Sequence, residues 1–346
     1  MTASAPGGGL VSSILKEYGD ATRTILFKYL PAVEPRRYLY DLVADYPRRG
    51  GRAFRPSLCI ATARAFGTPT ELALCTAASI ELIHNAMLIH DDIEDESEQR
   101  RGKPAMHQSA GVPIAINVGD TLSLLAMRPL LDNRHLLGPE LSLRILEDTE
   151  RMARESAEGQ AFELGWRRDN IIDVAEQDYL LMVLKKTCWL TTIHPSRMGT
   201  LIGGKGWIDP DRCIRFGFFL GAAFQIQDDL LNLEGDPAAY GKELGGDIRE
   251  GKRTLMLIHL LSRVTDPERD RLHVILAQPR DLRTHEDVLW VLERMKAYGS
   301  LHYARQLAHG LAGAAQYEFN EVYGNLPDSR DKRFLQALPA WVIERN

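Results

Sequence analysis

A chain of 346 residues, 45% of them apolar, can bury a substantial core as one large helical domain or two average ones. Its 42 basic residues against 47 acidic ones give a net charge of −5, which excludes a general nucleic-acid-binding surface. Four cysteines (Cys59, Cys75, Cys188 and Cys213) have neither CxxC nor Cys/His zinc spacing and read as reduced core residues.

The opening MTASAPGGGLVSS has no basic stretch followed by an apolar one, so no signal peptide is expected. Residues 1–9 read as a flexible tail and 10–346 as a single all-α domain. Apolar side chains recurring every 3.6 residues predict helices over 10–29, 36–45, 54–66, 70–95, 112–131, 140–166, 172–187 and 190–201. The same period predicts helices over 212–233, 254–263, 286–296, 301–317 and 331–343, and nothing reads as a sheet. Gly50-Gly51, Gly67, Gly102, Gly111, Pro195 and Asp209-Pro210 punctuate the joints. The longest apolar stretch, 216–226, is too short to cross a bilayer, so a soluble cytoplasmic protein is expected.

Two of these helices, 72–90 and 212–233, are apolar on all sides, which predicts burial. Each ends in carboxylates: Asp91-Asp92-Ile93-Glu94-Asp95 and Asp228-Asp229-Leu230-Leu231-Asn232. The first and last residues of each cluster are four apart and share a helical face. Asp91 and Asp95 at that spacing repel by roughly 0.2–0.5 kcal/mol unless a positive group stands between them. Oxygen-only ligands suit a hard cation such as Mg²⁺, which commonly also holds substrate phosphates. An apolar interior with an anionic, metal-holding rim fits a substrate with a phosphate head and a hydrocarbon tail.

Four cationic segments supply partners for phosphate. Arg52 and Arg55 follow the Gly50-Gly51 pair, and Arg100-Arg101-Gly102-Lys103 follows the first acidic cluster. Lys186-Thr187 is expected to close a helix, and a Gly-rich loop over 240–252 carries Lys242 and Lys252. Any one of these reads as a solvated loop or a helix-dipole lysine; four beside two carboxylate clusters read as a diphosphate site. His84, about two turns before Asp91, is placed to reach a phosphate from the flank, whereas His90 reads as a satisfied core histidine. Glu81-Leu82-Ile83-His84 is the chain's single ExxH, so a di-iron site, which needs two, is excluded.

With these residues in place, the chain resembles trans-isoprenyl diphosphate synthases, and among them most closely the geranylgeranyl diphosphate synthases. The resemblance runs from about Gly50 to Leu261 through GGRAFRP, IELIHNAMLIHDDIEDESEQRRGKPAMH, INVGD, EGQAFEL, KKT, FQIQDDLLNL, YGKELGGD and EGKRT. It implies a bundle of mainly antiparallel helices around a central cavity, usually a homodimer. The implied reaction joins isopentenyl diphosphate to an allylic diphosphate (dimethylallyl, geranyl or farnesyl), with three Mg²⁺ ions when substrate is bound. By motif, Asp91 and Asp95 would bind two metals with Asp92 in support, and Asp228, with Asp229 and Asn232 in its cluster, the third. Arg100, Lys186, Lys242 and Lys252 would hold the allylic diphosphate; Arg52, Arg55, His84 and Arg101 would hold isopentenyl diphosphate. Thr187 and Gln225 would place polar oxygens near the developing cation. Two positions depart from the family pattern: Arg52 stands where Lys is usual, and Asn232 stands where the cluster usually ends in Asp.

Three rivals share parts of this pattern. A class I terpene cyclase ionises the same substrates but lacks the isopentenyl site that Arg52, Arg55 and His84 suggest. A metal-dependent phosphohydrolase would use His90-Asp91 but leaves the second cluster unexplained, and an inactive subunit should have lost one cluster. Product length follows from helix rise: Met87 and Ala86 lie roughly 5–8 Å deeper than Asp91. Ala86 is expected to leave the shaft open and the flexible Met87 to block it partly, with Ile83 and Leu82 as deeper floor candidates. A C20 product, geranylgeranyl diphosphate, is the expectation.

Overall fold

Helices carry most of the described residues, 8–235 and 245–345, in the computed structural model. The longer ones are α1 (Gly8–Leu26), α2 (Phe54–Ala65), α3 (Glu71–Glu94), α4 (Val112–Leu125), α5 (Met127–Leu136), α6 (Pro139–Arg168) and α7 (Glu176–Val183). A π-helical segment, Leu184–Ile193, joins α7 to α8 (His194–Gly203). There follow α9 (Cys213–Glu234), α10 (Leu255–Leu261), α11 (Asp266–Ala277), α12 (His285–Ala297), α13 (Ser300–Tyr323) and α14 (Arg330–Glu344). The expected all-α architecture is present, and the buried apolar side chains form one cluster running from Val11 to Val342.

The two helices that are apolar all round are the central ones. α3 is enclosed by α1, α2, α4 and α5, and α9 by the π segment, α13 and α14. Close approach depends on missing side chains. A Cβ on Gly221 of α9 would sit 3.0 Å from Cys188 Cα and 2.8 Å from its Sγ, so only glycine lets α9 press on the π segment.

Several local expectations are corrected. Gly8 and Gly9, assigned to the tail, already belong to α1. Residues 36–45 form a π-helical turn, Arg36–Tyr40, and a short helical turn, Asp41–Val43, with Asp45–Arg48 beyond; Pro35 and Pro47 break the regular ladder. Lys186 and Thr187 do not end a helix, because the π segment carries the chain straight into α8. Pro195 is tolerated there at the second position of α8, where the wider turns precede it. α11 was not foreseen, although Thr265, Pro267 and Glu268 spell a capping box with Pro near the start. Two-residue strands, β1 (Gln99–Arg100) and β2 (Lys103–Pro104), pair antiparallel around Arg101-Gly102 where no sheet was expected.

Length and apolar composition alone would let two helices cross a membrane, Glu71–Glu94 and Val112–Leu136, against the expectation of none. The first is α3, and 61% of its apolar window lies inside the bundle, as a core helix requires. The second, α4 with α5, is only 39% buried and leaves Val112, Ile116, Leu124 and Leu131 exposed.

Candidate active site

The three aspartates at the end of α3 have different surroundings. Asp92 is fully buried, and Arg100 Nε lies 2.9 and 3.1 Å from its two oxygens while Nη2 also donates to Oδ1. The Tyr46 hydroxyl donates to Asp92 Oδ2 at 2.5 Å and accepts the Met106 amide at 3.0 Å. The tight hairpin sets this grip: Arg101 and Gly102 both have positive φ, which folds Arg100 back onto α3.

Asp95 is 1% exposed and accepts from Arg167 Nη1 at 2.6 Å on one oxygen and from Lys252 Nζ at 2.7 Å on the other. Burial alone would raise its carboxyl, but Lys252, Lys186 and Arg167 hold it well below the usual carboxylate range. Asp91 is more open, with Lys186 Nζ at 3.5 Å and Arg100 Nη2 at 3.6 Å. Burial and Asp95 push its carboxyl up, and Lys186, Lys252 and Arg100 more than reverse that.

The second cluster faces the first across a cavity of about 170 Å³ whose wall includes Asp91, Arg100, Lys186, Gln225, Asp228 and Lys252. Asp228 is the accessible acid, 3.3 Å from Arg345 Nη2. Asp229 accepts from the Tyr179 hydroxyl at 3.0 Å and from Gln225 Nε2 at 2.7 Å, and burial, reinforced by Asp228, pushes its carboxyl up to about 7. Asn232, expected among the metal ligands, is buried, and its side-chain oxygen accepts the Asp247 amide at 3.1 Å. It anchors the following loop.

Lys186 donates to Glu163 at 2.6 Å, and Thr187 donates to Gln225 at 2.8 Å. α6 comes this near only because residue 159 is Gly; a Cβ there would run into the Lys186 backbone. On the other flank, Arg55 reaches His84 Nε2 at 3.3 Å and Thr191 Oγ1 at 2.8 Å, and Arg101 donates to the Tyr46 carbonyl at 3.1 Å. Burial pushes the Arg55 guanidinium down to about 10 and, with Arg55 and Arg101 beside it, keeps the His84 ring neutral. Arg52 lies over the Trp341 ring, 5.9 Å from its centre. Lys242 falls outside the described residues. Of the length candidates, Ala86, Leu82 and Ile83 are buried in the bundle and Met87 is half-buried; the α3 side of the cavity is lined by Leu88.

Among the described residues, no three His, Cys, Asp or Glu side chains close on a point tightly enough to enclose an ion by themselves. The donor set is nonetheless all oxygen, on facing helix ends, which suits Mg²⁺ that draws its remaining ligands from diphosphate and water. Sequence reasoning passed over Glu163, Arg167, Tyr179, Arg253 and Arg345. Glu163 lies in view within EGQAFEL and Arg253 within EGKRT, whereas Arg167, Tyr179 and Arg345 meet the site only through long-range contacts.

Two acid-tipped buried helices facing each other amid fixed cations are the arrangement that suits metal-assisted chemistry on a diphosphate. The chain belongs to the polyprenyl synthetase family, whose model matches residues 36–295, and it is a prenyltransferase of the isoprenyl diphosphate synthase type. It is 36% identical over 335 residues to a short chain isoprenyl diphosphate synthase of Methanothermobacter thermautotrophicus, covering 97% of this chain and 98% of that one. It is 33% identical to a geranylgeranyl diphosphate synthase of Sulfolobus acidocaldarius (88% and 90% covered) and 34% identical to an octaprenyl diphosphate synthase of Escherichia coli (86% and 87%). The crystal structure of a geranylgeranyl pyrophosphate synthetase from Pyrococcus horikoshii superposes with a TM-score of 0.84 at 31% identity, covering 98% and 99%. A geranylgeranyl pyrophosphate synthase from Corynebacterium glutamicum, complexed with isoprenyl diphosphate and magnesium, gives 0.80 at 27% identity, with 98% of each chain covered.

The Asp92–Arg100 pair separates a structural acid from its neighbours. Asp92→Ala leaves a buried guanidinium without its partner and should destabilise the protein by about 3–5 kcal/mol. Urea unfolding checks this; a loss no larger than that of Asp91→Ala, at the open acid, would refute it.

Proposed function

We propose that this prenyltransferase condenses isopentenyl diphosphate with an allylic diphosphate, with Mg²⁺ held by Asp91, Asp95 and Asp228, to give geranylgeranyl diphosphate. The observation that carries this is the single cavity on which both acidic clusters, Lys186 and Lys252 converge. When bound, Mg²⁺ would neutralise the departing diphosphate as a Lewis acid. Lys186, Lys252 and Arg100 hold the allylic diphosphate so that its C–O bond breaks among fixed cations. The Thr187 hydroxyl donates to Gln225 in the cavity wall, so the remaining lone pairs of both oxygens would serve the allylic cation. Arg55, Arg101 and the neutral His84 hold isopentenyl diphosphate so that its double bond attacks that cation, and the proton then lost goes to released pyrophosphate. The Arg55–Thr191 bond ties that flank to the segment bearing Lys186 and Thr187, which keeps the two substrates in register.

The relatives span products from C20 to octaprenyl, so length depends on local packing. A small Ala86 and a flexible Met87 below Asp91 favour C20 over C15. We also propose a homodimer that covers Ile116, Leu124 and Leu131, apolar side chains along the exposed face of α4 and α5.

Four outcomes test this reading. Asp91→Ala, Asp95→Ala and Asp228→Ala should each lower Mg²⁺-dependent turnover by about a hundredfold or more. Arg55→Ala should mainly raise KM for isopentenyl diphosphate and Lys186→Ala that for the allylic substrate; protein that consumes allylic diphosphate without ever incorporating an isopentenyl unit would sink the proposal. Ala86→Phe should shift the product toward C15 with activity retained, read by chromatography of the dephosphorylated products; an unchanged distribution would mean that this helix does not measure the chain. Light scattering should give twice the chain mass for the wild type and a monomer for a Leu124→Glu/Leu131→Glu double variant, whereas a monomeric wild type removes the dimer.

A further inference from the structure

We infer that Arg253 is a positioning residue of the diphosphate pocket: a buried strut that sets both Lys252 and Arg167 on the carboxylate of Asp95. The inference rests on the reading that Lys252 holds the allylic diphosphate.

Arg253 follows Lys252 directly, yet its side chain turns away from water and is 2% exposed. Its Nε donates to the Ile171 carbonyl at 2.8 Å, Nη1 to the Gly251 carbonyl at 2.5 Å and Nη2 to Asn170 Oδ1 at 2.7 Å. All three acceptors are neutral, and no carboxylate among the described residues pairs with it. Burial, with Arg283 and Arg167 nearby, pushes the guanidinium down to about 10, so it remains charged at neutral pH. A buried cation satisfied by carbonyl dipoles alone is unusual. Its value lies in what those carbonyls belong to.

The three acceptors come from two segments remote in sequence, and each segment delivers one cation to Asp95. Asn170 and Ile171 follow the end of α6, three and four residues after Arg167, which meets Asp95 Oδ1 at 2.6 Å. Gly251 precedes Lys252, which meets Asp95 Oδ2 at 2.7 Å. Both segments turn sharply at the gripped residues, Asn170 at φ +48° and Gly251 at φ +71°. Each turn is closed by its own backbone bonds, the Ile171 amide to the Trp166 carbonyl at 2.9 Å and the Lys252 amide to the Asp247 carbonyl at 2.9 Å, and the planar fork of Arg253 spans the two and fixes their spacing. From behind, the Arg283 guanidinium packs where a Gly251 Cβ would point and donates to the Arg249 carbonyl. The loop before Lys252 is thus clamped between two guanidinium groups, and only Arg253 lines the cavity. Lysine in its place would keep the charge but offer no fork able to span both segments.

A merely stabilising arginine would affect both substrates alike. Steady-state kinetics of Arg253→Lys and Asn170→Gly, run beside Lys252→Ala and with thermal melts of each, distinguish the two. Asn170→Gly removes the acceptor while preserving the left-handed turn, so it reports even if Arg253→Lys fails to fold. Arg253→Lys should raise KM for the allylic diphosphate about tenfold, as loss of a charge-assisted hydrogen bond would. Asn170→Gly should move it in the same direction, and KM for isopentenyl diphosphate should change less than about twofold in both. If Lys252→Ala raises the allylic KM while the Arg253 and Asn170 variants only lose kcat in proportion to folded protein, the strut is refuted and the pocket stands. If Lys252→Ala leaves the allylic KM unchanged, the pocket assignment falls and the strut with it.

Discussion

Repulsion between carboxylates at the ends of two buried helices is the constraint around which this protein is arranged. α3 and α9 are apolar enough to sit in the middle of the bundle, yet both terminate in acids. Two like charges 4 Å apart at an effective dielectric of 20 repel by about 4 kcal/mol, a large share of the stability of most domains. Cations are therefore brought in from separate elements: Arg100 from the hairpin, Arg167 from the end of α6, Lys186 from the π segment and Lys252 from the loop after α9. The same groups hold the folded protein together and, in the proposed reaction, receive anionic phosphate oxygens. That double use explains why so much positive charge is buried without excess charge overall.

The π segment distributes these contacts. With wider turns than an α-helix, it sends neighbouring residues to different partners. Lys186 reaches Glu163 and Asp91, Thr187 reaches Gln225, and Thr191 receives Arg55. One short stretch thereby touches both flanks of the site. Such a shape is possible because its neighbours approach without side chains, Gly159 from α6 and Gly221 from α9. A methyl group at either position would move the segment, and Lys186 with it.

Helices as long and as uniformly apolar as α3 and α9 are legible in sequence, because their composition and their acidic ends are local properties. The paired acids and the cationic segments were legible for the same reason. What escaped was pairing at a distance. Arg167 looks like any basic residue in the last turn of a helix, and Arg253 like a companion of Lys252, until the fold brings Asp95 and Asn170 to them. Asp92 reads from sequence as a support for the metal ligands, but the seven residues between it and Arg100 form a turn that locks it onto that guanidinium. Continuity through the π segment was hidden by Pro195, which normally signals a joint.

Asn232 shows how a departure from the family pattern is resolved physically. An aspartate there would add another acid, 2% exposed, beside Asp229, whose carboxyl burial has already pushed upward. The amide keeps the acceptor oxygen and removes the charge. Its Oδ1 takes the Asp247 amide, and its backbone carbonyl takes the Gly245 amide at 2.8 Å. Those bonds tie the end of α9 to the short helix Gly246–Glu250, and that helix leads directly to Lys252. The substitution therefore replaces a charge that would have needed its own counter-ion with an anchor for the loop that delivers one.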